Sequence, residues 1–244
     1  MREETGGNRK KHFGWTVLAV VLLVILAVFA LRVIMIYDKI SRGDYQDLAL
    51  DFGGLVSTGQ GLVDSSSDEV YDVTTDDDPS FGSSDAPLTI VQFADFGCPF
   101  CADTSYTVRR LESRYPNQIR FIFRDFPITE NHPDSQLAAE AAECANEQGV
   151  FWEYHDKLYQ NQSDHSRDAL KVYALELNMD YNSFVACLNS GRFRSEVQDD
   201  YAAGVMAGVY GTPTFFFNGN RVQGAIPDDI FVLIVDAFLN GTAE

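Results

Sequence analysis

Hydrophobic and polar positions alternate between strand-like and helix-like patterns along the C-terminal part of the chain. Leu88 to Phe96 (LTIVQFADF) and Ile119 to Pro127 (IRFIFRDFP) are short apolar runs rich in β-formers. The segment between them carries its apolar residues on one helical face and stops before Pro116. A strand, a helix and a strand in this order predict a βαβ unit with parallel strands and a right-handed crossover.

Helical patterns fill about residues 130–208, and β character returns after them. Thr214 to Phe217 and Arg221 to Gln223 flank Asn-Gly-Asn, which is a strong signal for a β-hairpin. A final amphipathic segment with Pro227 near its start predicts a closing helix. These patterns predict an α/β sheet with an inserted α-helical subdomain.

The N-terminal part has a different pattern. An uncharged apolar run extends from Phe13 to Leu31 and, past Arg32, apolar character continues to Tyr37, so residues 13–37 predict a transmembrane helix. Basic residues precede this run, which places residues 1–12 in the cytoplasm and the remainder outside it. Cleavage after Ala30 is an alternative, but the length of the apolar stretch favours an uncleaved anchor in the cell membrane with a single pass.

Residues 38–87 separate this segment from the first predicted strand. The stretch from Asp64 to Asp85 is rich in Asp, Ser and Thr and contains no Lys or Arg. Such a composition cannot bury enough apolar surface to offset its ordering entropy, so residues 38–87 predict a flexible acidic tether before a folded domain at 88–244. The net charge of −18 argues against nucleic acid as a partner.

Cys98 and Cys101 are the residues with the clearest chemistry. Pro99 favours the first position of a helix, which places Cys98 at the N-cap and Cys101 one turn inside. Unpaired N–H groups at a helix start stabilise a thiolate, so we expect a low pKa and an exposed position for Cys98, and a buried position for Cys101. This asymmetry favours thiol–disulfide exchange.

Other interpretations of the pair are a zinc half-site and an inert disulfide. Zinc needs four ligands, whereas Cys144 and Cys187 lie far apart and the histidines show no ligand spacing. We therefore expect no metal and no cofactor.

A second sequence feature relevant to this chemistry is Thr212-Pro213, which lies directly before an apolar strand. X-Pro is the peptide bond that is cis with useful frequency, so this bond is a candidate cis peptide.

The order of three sequence features resembles that in the DsbA-like thiol–disulfide oxidoreductases of the thioredoxin superfamily. These features are FxDFxCPFC, the helical segments with AAECA and FWEYHD, and GVYGTPTFFFNG. The resemblance covers Leu88 to about Leu239 and implies a thioredoxin-like fold with an inserted α-helical subdomain. It implies that Cys98 is the nucleophile and Cys101 the resolving thiol, supported by Pro99, and that Thr212 precedes a cis Pro213. The backbone there would bind a substrate polypeptide as an added strand.

Two positions depart from the family pattern. Phe100 stands where the best-known members have histidine, which predicts a milder oxidant. Gln92 stands where some members have a buried acid, and we interpret it as a hydrogen-bonded core amide. Proton delivery to Cys101 would then use Asp95 or water.

The remaining cysteines and His132 are interpreted as structural rather than catalytic residues. An even cysteine count outside the cytoplasm and the resemblance together favour a structural disulfide between Cys144 and Cys187, with two buried free thiols as the alternative. His132 is interpreted as a loop-surface or capping residue rather than a catalytic one.

The resulting functional prediction is a membrane-tethered enzyme that introduces disulfides into exported proteins. Its partners would be reduced or misoxidised exported polypeptides and a membrane redox partner that reoxidises the pair. A disulfide reductase or isomerase is the main alternative. A copper-delivery module on a thioredoxin fold is a weaker one, because such modules typically space their cysteines by three residues and add a ligating histidine.

Overall fold

The structure, a computed structural model, describes residues 70–241. Its strands are β1 (Ser80–Gly82), β2 (Leu88–Ala94), β3 (Ile119–Asp125), β4 (Thr214–Phe217) and β5 (Asn220–Gln223). Its helices are α1 (Pro99–Arg114), α2 (Ser135–Asn146), α3 (Phe151–Gln160), α4 (Arg167–Glu176), α5 (Tyr181–Ser190), α6 (Arg194–Met206) and α7 (Asp228–Leu239). The predicted α/β architecture with a block of inserted helices, α2 to α6, is confirmed.

The strands form a mixed sheet in the order β1-β3-β2-β4-β5. β2 and β3 are parallel and are joined through α1, as predicted, while β4 pairs antiparallel with β2 and with β5. Phe93 near the end of β2 is opposite Thr214 at the start of β4. This pairing brings the segment before β4 to the point where the chain leaves β2 and enters α1.

Both faces of the central strands are covered, so β2 and β3 are buried almost without interruption. Ile90 and Phe121 belong to the larger cluster, which also contains apolar side chains of α1, α7 and the inserted helices. Val91 and Ile122 belong to a smaller cluster on the other face. The alternation of neighbouring residues between two clusters follows from the period of two along a strand.

Local capping residues explain several helix boundaries. The Ser166 side chain accepts a hydrogen bond from the Ala169 N–H at the start of α4, and Asp180 does the same for Ser183 at the start of α5. Gly191 ends α5 in the left-handed conformation, with φ of 60°. These helices lie within the predicted helical block at about residues 130–208.

The prediction that the tether extends to residue 87 is wrong for residues 70–87. β1 pairs antiparallel with β3, Val73 and Phe81 are buried, and Asp78 forms an ion pair with the buried Arg124. A few apolar anchors and one paired carboxylate attach this segment to the sheet although its overall composition is acidic. The folded part therefore begins before Leu88.

The predicted cytoplasmic residues 1–12, the predicted membrane segment 13–37 and the rest of the predicted tether, 38–69, lie outside the described residues. Within residues 70–241, the helices are too short or too polar to cross a membrane.

Candidate active site

The cysteine pair lies where β2 passes into α1. Cys98 is the N-cap residue with extended backbone geometry, and Pro99 is the first helical residue. The Cys98 carbonyl accepts hydrogen bonds from the N–H groups of Cys101 and Ala102, at 3.1 and 3.2 Å. Both cysteines are free thiols in this structure. The proline thus places the pair at the helix start, as the sequence indicates.

Both thiols are buried, which corrects the expectation of an exposed Cys98. Cys98 is 5% exposed and Cys101 is fully buried. The segment before β4 lies against the pair, and the Cys98 thiol donates to the Thr212 carbonyl at 3.3 Å. A helix N-cap is exposed in isolation, but here a distant part of the chain covers it.

The two thiols have opposite electrostatic environments. A hydrogen bond from the Cys101 thiol, helped by the backbone N–H groups of Cys101 and Phe100, lowers the pKa of Cys98 to about 6 despite its partial burial. Burial raises the pKa of Cys101 well above its ordinary value. The environment thus favours the thiolate at Cys98 and the thiol at Cys101, which is the asymmetry that thiol–disulfide exchange requires.

The Thr212–Pro213 peptide bond is cis. The Pro213 carbonyl accepts from the Gly224 N–H at 2.8 Å, which ties this turn to the end of β5. The structure therefore brings together the cysteine pair and the proline turn, which are more than a hundred positions apart in the sequence.

Phe100 and Gln92, the two positions that depart from the family pattern, differ in burial. Phe100 is 59% exposed and presents an uncharged ring to solvent. Gln92 is buried in β2 between Phe123 of β3 and Phe215 of β4. Its Oε1 has no hydrogen-bond partner among the described residues, so the expectation of a hydrogen-bonded core amide is not met for this oxygen. The flanking phenylalanines offer no donor.

Asp95 and His132 form a pair beside the cysteines that the sequence did not reveal. The fully buried Asp95 carboxylate accepts from the N–H groups of Gly97 and Ile128, at 2.7 and 2.8 Å, and its Oδ2 lies 2.8 Å from His132 Nδ1. The Asp95 backbone N–H faces the Cys101 sulfur. His132 is a loop residue, as predicted, but its ring serves the active-site turn rather than the surface.

Gly97 is required by this arrangement. A Cβ atom at position 97 would lie 2.4 Å from the His132 Cβ. The order Asp-x-Gly indicates an Asx turn, in which the carboxylate binds the N–H two residues on, and that was the available signal for Asp95. No sequence signal pointed to His132 as its partner.

Gln162 was also missed. This residue lies in the turn between α3 and α4, and its Nε2 donates to the carbonyls of Phe96 and Cys98, at 2.8 and 2.9 Å. A glutamine in a polar turn has no pattern that distinguishes it from a solvent-exposed one. The contact therefore became visible only in the folded chain.

Cys144 and Cys187 are joined by a disulfide that connects α2 with α5. Their Cα atoms are 5.9 Å apart, within the usual range for a disulfide, and both residues are buried. This bridge lies within the inserted helices, away from the active pair in the sequence.

The structure combines a parallel β2–α1–β3 unit, a cysteine pair at the start of α1 and a cis-proline turn against that pair. This combination is that of a thiol–disulfide oxidoreductase. A family model described as "Thioredoxin" matches residues 74–237. The chain belongs to this family.

Solved structures with this fold include DsbA-like proteins. Oxidised BdbD from Bacillus subtilis has a TM-score of 0.60 and 22% identity, over 68% of this chain and 94% of that one. Alpha-DsbA1 from Wolbachia pipientis has a TM-score of 0.59 and 19% identity, over 67% of this chain and 92% of that one. At these identities the likeness establishes the fold.

Curated relatives with higher identity carry a different name. The "Na(+)/H(+) antiporter NhaA 3" of Salinispora tropica is 39% identical over 170 residues, which are 70% of this chain and 25% of that protein. The chain thus spans about a quarter of that relative's length. The antiporter name describes the longer protein and does not extend to this chain.

Proposed function

We propose that this protein introduces disulfide bonds into exported proteins, outside the cytoplasm, through the Cys98–Cys101 pair. The observation that carries the proposal is the contrast between the two thiols: the pKa of Cys98 is lowered to about 6, while burial raises that of Cys101. A low pKa stabilises the reduced form of a redox pair, and this makes its disulfide a better oxidant.

The proposed cycle starts from the oxidised pair. A substrate thiolate attacks the Cys98 sulfur, the Cys98–Cys101 bond breaks, and Cys101 leaves as a thiolate that takes up a proton. A second substrate thiolate then attacks the substrate sulfur of the mixed disulfide and releases Cys98 as a thiolate. Two electrons move from the substrate to the pair, and the low pKa of Cys98 makes it a good leaving group in the second step.

The proline turn supports capture of a polypeptide substrate. The Thr212 carbonyl accepts from the Cys98 thiol, and the rings of Phe100 and Tyr210, which belong to the same two segments, are exposed. An extended peptide that added a strand along this turn would bring its cysteine to the Cys98 sulfur. Thr212 and Pro213 would then define the binding register, with Pro99 and Phe100 forming the opposite wall.

Catalytic turnover in this direction requires an oxidant. We propose that a membrane redox partner reoxidises the pair and that residues 13–37 hold the enzyme at the same membrane. The Cys144–Cys187 disulfide supports an oxidising compartment, since structural disulfides persist there and are rare in a reducing cytosol.

A reductase or isomerase is the second candidate function. Phe100 favours it, because its side chain adds no positive charge beside Cys98 to stabilise the thiolate. The same active-site geometry would serve electron flow in either direction. The direction is set by the reduction potential of the pair and by its redox partner.

The direction can be tested by trapping thiols in intact cells with an alkylating reagent that adds mass. We expect Cys98 and Cys101 to be found mainly as a disulfide, and a Cys98→Ser variant to lose its activity in oxidising a reduced, unfolded substrate. A Cys144→Ala/Cys187→Ala variant is the matched control and should keep a redox-active pair. A pair found mainly reduced in cells would favour the reductase or isomerase.

A further inference from the structure

Gln162 contacts the active-site turn from the inserted helices. A primary amide carries two N–H donors on one nitrogen. In Gln162 that nitrogen lies 2.8 Å from the Phe96 carbonyl oxygen and 2.9 Å from the Cys98 carbonyl oxygen. One side chain thus binds two carbonyls of the turn that connects β2 with α1.

The Cys98 carbonyl is the first acceptor of α1. It also receives the N–H groups of Cys101 and Ala102. The other side of the same turn is held through Asp95, whose carboxylate binds the Gly97 N–H. Gln162 therefore completes a set of contacts that fixes the backbone on both sides of Gly97.

We propose that Gln162 is a positioning residue for thiol–disulfide exchange: it holds the Cys98 backbone so that the N–H groups of the first helical turn point at the Cys98 sulfur. This inference rests on the proposed role of Cys98 as the nucleophile. It also gives the helical insert a part in the chemistry, because the turn between α3 and α4 supplies the residue.

Two physical effects connect Gln162 with the thiolate. The N–H groups of Phe100 and Cys101 stabilise the Cys98 thiolate only while the N-cap keeps its orientation. In addition, the Gln162 amide offsets the partial negative charge of the Cys98 carbonyl close to the sulfur. Without Gln162 the thiolate is less stable, so the reduced pair is less favoured and the disulfide is a weaker oxidant.

The test uses the variants Gln162→Ala and Gln162→Met in the purified protein. Methionine keeps most of the size of the side chain but has no N–H donor and no charge, which separates the lost hydrogen bonds from lost packing. The matched control is Gln160→Ala, at an exposed position in the last turn of α3. Thiolate absorbance is titrated against pH, and the equilibrium with glutathione is measured at neutral pH.

We expect both Gln162 variants to raise the pKa of Cys98 by about half a unit or more and to shift the glutathione equilibrium about threefold toward the disulfide. The Gln160 variant should behave as the unmodified protein does. Variants at Gln162 that lower the unfolding temperature but leave the pKa and the equilibrium unchanged would overturn the inference, since that result describes a structural residue.

The two proposals fail in different ways. If Cys98 in the unmodified protein titrates with a pKa of about 6 and the Gln162 variants do not change that pKa, only the inference about Gln162 is overturned. If the unmodified protein itself shows an ordinary thiol pKa at Cys98, the proposed function is overturned and the inference with it.

Discussion

Replacing Arg124 by methionine tests how the N-terminal segment is held to the sheet. The Arg124 side chain is buried, and its Nε lies 2.7 Å from Asp200 Oδ1 and 3.1 Å from Asp78 Oδ2. Its Nη1 donates to the Val73 carbonyl, and the guanidinium lies 5.1 Å from the centre of the Phe93 ring. The Arg124 guanidinium thus binds two carboxylates and a backbone oxygen from two parts of the chain, residues 73–78 and α6.

The expected cost follows from the buried position of these partners. Arg124→Met keeps most of the side-chain volume but leaves Asp78 and Asp200 without a cation. Removing one partner of a buried ion pair typically costs about 3–5 kcal/mol of unfolding free energy. Burial already raises the pKa of Asp78 to about 7, so protonation relieves the unpaired charge in acid. We therefore expect the full loss at about pH 8 and a smaller one at about pH 5.

Urea unfolding of the protein lacking residues 1–69 at the two pH values measures this loss. The matched control is Arg110→Met, which breaks an exposed ion pair with Asp228 and should cost at most about 1 kcal/mol. Adding Asp200→Asn to Arg124→Met should restore part of the stability, because it removes one of the unpaired charges. A loss below about 1 kcal/mol for Arg124→Met at the higher pH would refute the reasoning.

Three further predictions concern stability and redox strength. Replacing Cys144 and Cys187 together by alanine should cost about 4 kcal/mol in urea unfolding, from the sequence separation of 43, and a loss under about 1 kcal/mol would contradict the entropic estimate. Phe100→His should shift the glutathione equilibrium toward the reduced pair, and an unchanged or opposite shift would refute a role for charge beside Cys98. The raised pKa of Asp78 means that its contribution to stability is present below its unfolded pKa and is lost as pH rises through about 7. Asp78→Asn should therefore flatten the decline in unfolding temperature between about pH 5 and about pH 8, and an unchanged slope would contradict this.

The regular elements of the fold could be predicted because each carries a local signal. Apolar runs predicted β2 and β3, Pro99 predicted the start of α1, and helical patterns predicted the block of inserted helices. β1 was missed, because three residues in an acidic context show neither a strand period nor an apolar run. Its pairing with β3 and the anchoring of Asp78 depend on residues far along the chain.

The candidate site was predictable in its chemistry but not in its surroundings. Cys98, Cys101 and Pro213 were found because cysteine spacing and X-Pro are rare and specific features. His132 and Gln162 were not, because loop histidines and turn glutamines are common and mostly solvent-exposed. Their contacts with Asp95, Phe96 and Cys98 exist only after the loop following β3 and the turn following α3 have packed against the active-site turn.

The sequence by itself determined the identity and spacing of the reactive cysteines, the helix start at Pro99 and the order of strands and helices. These depend on backbone preferences and on residues within one or two helical turns of each other. Only the tertiary structure decided that Cys98 is buried, that Thr212 lies against it and that Gln92 Oε1, in an aromatic environment, finds no hydrogen-bond partner within residues 70–241. Solvent exclusion and hydrogen bonding at a site are set by every segment that packs there, and here those segments come from opposite ends of the domain.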